Sequence, residues 1–88
     1  MNAAMDAAST RAKVTDFVST YLSNAEVDPE LDLFASGMVN SLFAMQLVLF
    51  VEKDFGFAVD NEDLDYQNFR SIAAICDFVG RKLGLATA

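Results

Sequence analysis

The sequence contains no histidine and no tryptophan, and its 88 residues include one cysteine (Cys76), one proline (Pro29) and four glycines. Without histidine, the side chain that most often serves as general base or metal ligand is missing. A single cysteine cannot close an internal disulfide, so a stapled secreted scaffold is excluded. So little glycine and proline disfavours a chain of many short strands and tight turns. Bases are scarce too: six Lys and Arg stand against 13 Asp and Glu, a net charge of −7. That balance argues against binding a nucleic-acid backbone, which needs a Lys/Arg surface. Long apolar runs are also absent. Residues 42–51 form the longest, interrupted by Gln46, well short of the roughly 20 residues that span a bilayer. No basic segment precedes an apolar stretch near Met1. A soluble, cytoplasmic monomer that keeps clear of membranes is expected.

What the chain does have is apolar content: 53% hydrophobic residues, 11% aromatic, too much for a disordered segment. Its length suits one domain over residues 1–88, with flexible ends at about 1–8 and 84–88. A domain this small builds one core, but no enclosed cavity with catalytic machinery around it. The acidity is concentrated. Residues 26–65 hold ten acidic side chains against Lys53 as their one base, and the rest of the chain is slightly positive. Such a region is either a solvated surface or a docking face for basic partners, where complementary fields speed encounter by roughly 10–10³.

Three helical patterns stand out. In residues 9–23, Val14, Phe17, Val18, Tyr21 and Leu22 fall on one face, with Ser9 or Thr10 as the expected N-cap and Asn24 as the stop. Residues 25–39 read as a long loop with a turn at Asp28-Pro29 and apolar anchors at Leu33 and Phe34; a loop of this length usually has a role of its own. The second helix is expected over residues 41–55, capped by Asn40 and stopped by Gly56. Its core stripe reads as Ala44, Leu47, Val48, Val51 and Phe55. The opposite side carries Leu42, Gln46, Leu49, Phe50 and Lys53, where polar residues would be usual. Either another helix covers that side or it is an apolar patch kept for partners. Residues 60–64 read as a short helical turn. The last helix is expected over residues 71–83, capped by Ser71 or Asn68 and closed by Arg81, Lys82 and Gly84. Its inward residues read as Ile72, Ile75, Cys76, Val79 and Leu83, with Cys76 a small core hydrophobe. The fold class is therefore all-α, a four-helix bundle of three main helices and one short one.

Little chemistry fits these residues. Asp28-x-Glu30-x-Asp32 starts like a calcium loop, but Leu33 stands where Gly is needed and Val39 where Glu is needed. No glycine-rich phosphate loop or nucleophilic triad is present, so the chain is not expected to be an enzyme. One constellation remains: Leu33-Phe34-Ala35-Ser36-Gly37-Met38-Val39-Asn40-Ser41-Leu42, running into an apolar helix. Ser41 sits at a helix start, where free N–H groups and the positive dipole end favour a phosphate. It is either a second capping residue or a modification site.

In Asp32-Leu33-Phe34, Gly37, Asn40-Ser41-Leu42, the helix ending Val51-Glu52-Lys53-Asp54-Phe55, and Phe69-Arg70-Ser71-Ile72-Ala73, the chain resembles acyl carrier proteins. The resemblance covers about residues 14–83. It implies that Ser41 carries a 4′-phosphopantetheine arm, attached from coenzyme A by a phosphopantetheinyl transferase, whose thiol holds acyl groups as thioesters. The family usually has Asp before the serine, and this chain has Asn40, which keeps the cap but gives up a charge. Asn40 to Leu47 looks most like freestanding carriers for polyketide extender units of the methoxymalonyl, hydroxymalonyl and aminomalonyl kind. That implies as partners an acyl-loading enzyme, tailoring dehydrogenases and an acyltransferase or polyketide synthase. The spacing from Leu33 to Ser41 also looks like D-alanyl carrier proteins, and another discrete polyketide, aminoacyl or peptidyl carrier is a further reading of the resemblance. The expected partner face comprises Asn40, Leu42, Leu49 and Phe50 with the carboxylates of Glu52, Asp54, Glu62, Asp63 and Asp65. A helical interaction module using the same face without any prosthetic group is the competing reading.

Overall fold

A computed structural model of the chain describes residues 6–84. Its helices are α1 (Ala7–Tyr21), α2 (Ser41–Phe55), α3 (Tyr66–Phe69) and α4 (Ile72–Leu83), with a 3-10 turn at Asn61–Asp63 before α3. No strand occurs among the described residues. The core is Val14 and Val18 of α1, Leu33 of the long loop, Phe43, Leu47, Val51 and Phe55 of α2, Phe69, and Ile72, Ile75, Phe78 and Val79 of α4. The all-α bundle of three main helices and one short one is thus the observed architecture.

α1 starts two residues earlier than its spacing predicts. Asp6, not Ser9 or Thr10, is the cap: its Oδ1 accepts from the Ser9 N–H at 2.8 Å. A carboxylate satisfies an orphan donor and also faces the positive end of the helix dipole. Thr10 is buried one turn in, its hydroxyl donating to the Asp6 carbonyl at 2.9 Å. The helix ends at Tyr21, ahead of Asn24, because Ser23 and Asn24 are both left-handed (φ 61° and 65°). Of the ends expected to be loose, residues 1–5 and 85–88 lie outside the described residues; Asp6–Ala8 open α1 and Gly84 closes α4.

The long loop is bolted to the C-terminal helices. Leu33 is fully buried and its N–H donates to the Arg70 carbonyl at 2.7 Å, while the Ala73 N–H donates to the Pro29 carbonyl at 2.9 Å. α2 has the expected bounds, with Asn40 as cap and Gly56 left-handed at its end (φ 74°). Its buried stripe is rotated from the expected one. Phe43 is fully buried, and Ala44 and Val48 are half-buried. The reason is α1: Tyr21 packs edge-on against Phe43 (4.7 Å between centroids), so α1 covers the flank that helical spacing alone left open.

Near the C-terminus, the expected turn at residues 60–64 is the 3-10 turn at Asn61–Asp63, and α3 (Tyr66–Phe69) is a further short helix that the spacing did not predict. Asn68 lies inside α3, and Ser71 caps α4 by accepting from the Ala74 N–H at 3.1 Å. Two assignments on α4 change. Phe78 is a core residue, 5.2 Å from Phe69 and 5.9 Å from Phe57 between ring centroids. Cys76 is half-buried rather than central, and burial pushes its thiol pKa up from 9.0.

Candidate functional site

Ser41 is the first residue of α2 and lies in the open. The chain reaches it through a run of tight turns. The Asp32 Oδ1 accepts from the N–H groups of Phe34 (3.1 Å) and Ala35 (2.9 Å), and the Gly37 N–H donates to the Phe34 carbonyl at 3.1 Å. Gly37 then takes φ 81°, a conformation that side chains resist; a Cβ there would meet nothing within 4 Å, so backbone angle and not space demands glycine. Asn40 follows in extended backbone, its Oδ1 accepting from Leu42 N–H at 3.0 Å and Phe43 N–H at 3.3 Å.

A second serine shows what an ordinary helix-start hydroxyl does. Ser71 is the cap of α4, 2% exposed, its oxygen bonded to the Ala74 N–H. Ser41 stands one position further along its helix, exposed, with its hydroxyl bonded to no described residue. Asn40 does the capping, so Ser41 is not a second cap. The cap is neutral and the first turn of α2 has no acidic residue. The positive end of the dipole therefore has no carboxylate opposing it, and a phosphate charge fits there.

Beyond Ser41, α2 presents Leu42, Met45 and Leu49 at 56%, 66% and 64% exposure, one continuous stripe. Phe50 is not part of it: it is half-buried and stacked on Phe17 at 4.3 Å, so α1 covers it. The carboxylates divide likewise. Asp54, Glu62 and Asp65 are exposed. Glu52 accepts from the Val59 N–H at 2.9 Å, and Asp63 is held by Lys82 at 2.8 Å, so both hold the fold together. The Lys82 ammonium keeps the Asp63 carboxyl below its ordinary value.

Sequence reading anticipated no pocket, and the structure has a small one. An apolar cleft of about 260 Å³ is lined by Phe34, Ala44, Val48, Leu64, Asp65, Tyr66 and Phe69. Ala44 and Val48 lie about one and two turns past Ser41 on the same helix. The Tyr66 hydroxyl donates to Asp32 Oδ2. Asp32 is held below the ordinary carboxylate value, mainly by the Ala35 N–H and then by this hydroxyl, while the same bond raises Tyr66. A larger open hollow of about 550 Å³, along Thr15, Ser19 and residues 24–28, contains no residue of this site. The spacing places Ala44 and Val48 in the core stripe; the structure leaves both half-buried on the cleft wall instead.

The exposed Ser41 hydroxyl thus stands at the start of α2 beside an apolar stripe. The family model described as phosphopantetheine attachment site matches residues 12–79, and the chain belongs to that family of acyl and peptidyl carriers. Its domains attach a 4′-phosphopantetheine group, are modified by phosphopantetheinyl transferases and interact with biosynthetic enzymes; they are generally tethers and not catalysts. A search of curated proteins finds no match, and a search of solved structures finds none. No helix among the described residues is long and apolar enough to cross a membrane.

Proposed function

We propose that Ser41 is the attachment point of the 4′-phosphopantetheine arm and that the chain carries an acyl intermediate for polyketide extender-unit assembly. The observation that carries the attachment is the exposed, unbonded Ser41 hydroxyl beside a cap already satisfied by Asn40. Its oxygen forms the phosphoester with the phosphopantetheine phosphate of coenzyme A; the hydroxyl proton passes to the transferase and the adenosine bisphosphate leaves. The uncompensated start of α2 then stabilises the phosphoester charge. Once attached, the arm supplies a thiol that holds cargo as a thioester. Tethering keeps that cargo at an effective concentration of about millimolar without tight binding.

The extender-unit assignment rests on the run Asn40-Ser41-Leu42-Phe43-Ala44-Met45-Gln46-Leu47. In this reading Leu42 and Leu49 form the apolar grip with Asn40 beside them at the helix start, and Asp54, Glu62 and Asp65 meet basic residues of the loading enzyme, tailoring dehydrogenases and acyltransferase. Exposed carboxylates steer encounter, and a small apolar grip lets each partner leave again. Phe50, Glu52 and Asp63 support this face from within.

Intact-mass measurement after incubation with coenzyme A and a broad-specificity transferase tests the attachment. The expected result is a gain of one phosphopantetheine, abolished in Ser41→Ala. Absence of any gain with several transferases returns the chain to an unmodified interaction module.

A further inference from the structure

Apart from Met1 and Met5, which lie outside the described residues, the chain has two methionines, Met38 and Met45. They stand on either side of Ser41. Met38 is three residues before it in the loop, and Met45 is four residues after it, about one turn along α2. Both lie in the open, at 39% and 66% exposure, and neither belongs to the core. Met45 sits between Leu42 and Leu49 in the apolar stripe. A methionine is flexible and polarisable, which suits a surface that meets several partners. Its thioether is also an oxidisable sulfur.

The other sulfur among the described residues is protected. Cys76 is half-buried on α4, and burial outweighs the nearby Arg11 charge and lifts its thiol above the ordinary 9.0. Little of it is thiolate near neutral pH, and thiolate is the form that reacts with peroxide. An oxidant in solution therefore reaches the two thioethers beside Ser41 before it reacts with Cys76. Their surroundings make that change count. Residues 33–51 contain no Asp, Glu, Lys or Arg. Docking against this stretch relies on apolar contact and not on ion pairs. A sulfoxide puts a strong hydrogen-bond acceptor into that contact, and an acceptor buried without a donor opposes association.

We propose that Met38 and Met45 are reversible oxidation sites through which a hydroperoxide switches off docking at the mouth of α2. The thioether sulfur attacks one peroxide oxygen. The O–O bond breaks, an S–O bond forms, and the second oxygen takes up the proton of the transferred hydroxyl and leaves as water. Sulfur is oxidised and the peroxide reduced, with no other reactant consumed. Neither side chain supports the core, so the helices stay folded while the stripe turns polar. Reduction of the sulfoxides restores it. The oxidation stands on exposure and is independent of Ser41; its effect on docking rests on the reading that a transferase meets this stripe to load Ser41.

Hydrogen peroxide on the unmodified full chain, followed by proteolysis and peptide mass measurement, tests the sites. One added oxygen is expected on each of Met38 and Met45, with Cys76 still a thiol at the same time point. Cys76 oxidising ahead of both methionines overturns the proposal. With the peroxide removed, the oxidised chain is then given coenzyme A and a broad-specificity transferase. Uptake of phosphopantetheine is expected to slow about tenfold, the scale of an unsatisfied acceptor, with the circular dichroism unchanged. Methionine sulfoxide reductases are expected to bring the rate back. In a chain carrying both Met38→Leu and Met45→Leu, treated and untreated proteins are expected to be modified at equal rates. An oxidised parent that is not slowed overturns the switch. So does equal slowing in the double variant, or a loss of helicity that accounts for the slowing. If the untreated chain takes up no phosphopantetheine, the Ser41 reading falls and the docking switch falls with it, while the peptide masses still decide whether the two oxidation sites exist.

Discussion

α4 and α2 bury similar stripes and do opposite things with their other sides. α4 turns Ile72, Ile75, Phe78 and Val79 inward and shows Asp77 and Arg81, which pair with each other at 3.4 Å. Its sequence is accounted for by folding alone. α2 buries Phe43, Leu47, Val51 and Phe55, yet still exposes Leu42, Met45 and Leu49. Apolar area left in water contributes nothing to the fold, at roughly 25 cal/mol for each Å² not buried. A helix that carries two apolar faces and buries one keeps the other for a partner, and the proposed attachment at Ser41 lies at the mouth of that helix. The sealed Ser71 at the mouth of α4 makes the same point in reverse.

The strongest way to break this comparison is to truncate the two faces of α2 separately. Phe43→Ala is expected to destabilise by about 3–5 kcal/mol, a value typical of removing a buried aromatic ring. Leu49→Ala is expected to stay within about 0.5 kcal/mol, as exposed substitutions do. Urea unfolding followed by circular dichroism measures both. Leu49→Glu should leave helicity intact and slow acyl transfer to a partner enzyme; equal loss of helicity and transfer would place Leu49 in the core and dissolve the two-faced reading.

The same helices show what was legible beforehand. α2 was readable to the residue because its signals are local: Asn40 before it and Gly56 after it. Gly84 marked the end of α4 in the same way, while its start was left between Ser71 and Asn68 and the structure chose Ser71. The start of α1 was misread because three capping residues, Asp6, Ser9 and Thr10, stand close together, and only the backbone shows which oxygen reaches an N–H. Phe43, Phe50 and Phe78 escaped because periodicity gives the direction of a side chain and not which helix arrives to cover it. α3 is too short for any period to register. That Ser41 opens α2 was legible from the local signals, whereas the cleft depends on Phe34 and Tyr66 meeting across 32 residues of chain.

A smaller effect separates the two helix starts. Ser71→Ala removes a buried cap and is expected to cost about 1–2 kcal/mol, leaving the Ala74 N–H without its partner. Ser41→Ala should shift stability by less than about 0.5 kcal/mol, since its hydroxyl bonds nothing. Asn40→Asp keeps the cap and adds a negative charge at the positive dipole end, an expected gain of about 0.3–1 kcal/mol at low salt. Thermal melts in low and high salt distinguish that gain from a packing change, because only a charge effect is screened.

The smallest expected effect concerns the far ends. Lys53 in the last turn of α2 is exposed, while Lys82 in the last turn of α4 is gripped by Asp63 at 2.8 Å and Asp60 at 3.3 Å. The grip lowers Asp63 from its ordinary 3.8 and raises Lys82 from its ordinary 10.5, in each case chiefly through the bond between them. A lowered carboxyl contributes stability that is fully present above 3.8 and is lost as pH falls through the folded value. A raised ammonium contributes stability that is fully present below 10.5 and is lost as pH climbs through its folded value. The pair therefore acts between about pH 4 and pH 10. Asp63→Asn should unfold at lower urea than the parent at pH 7, with the gap narrowing at pH 3, whereas Lys53→Ala should leave the pH profile unchanged. Parallel curves for Asp63→Asn and the parent across that range would show that α4 and the 3-10 turn are held by packing alone, with the ion pair incidental to it.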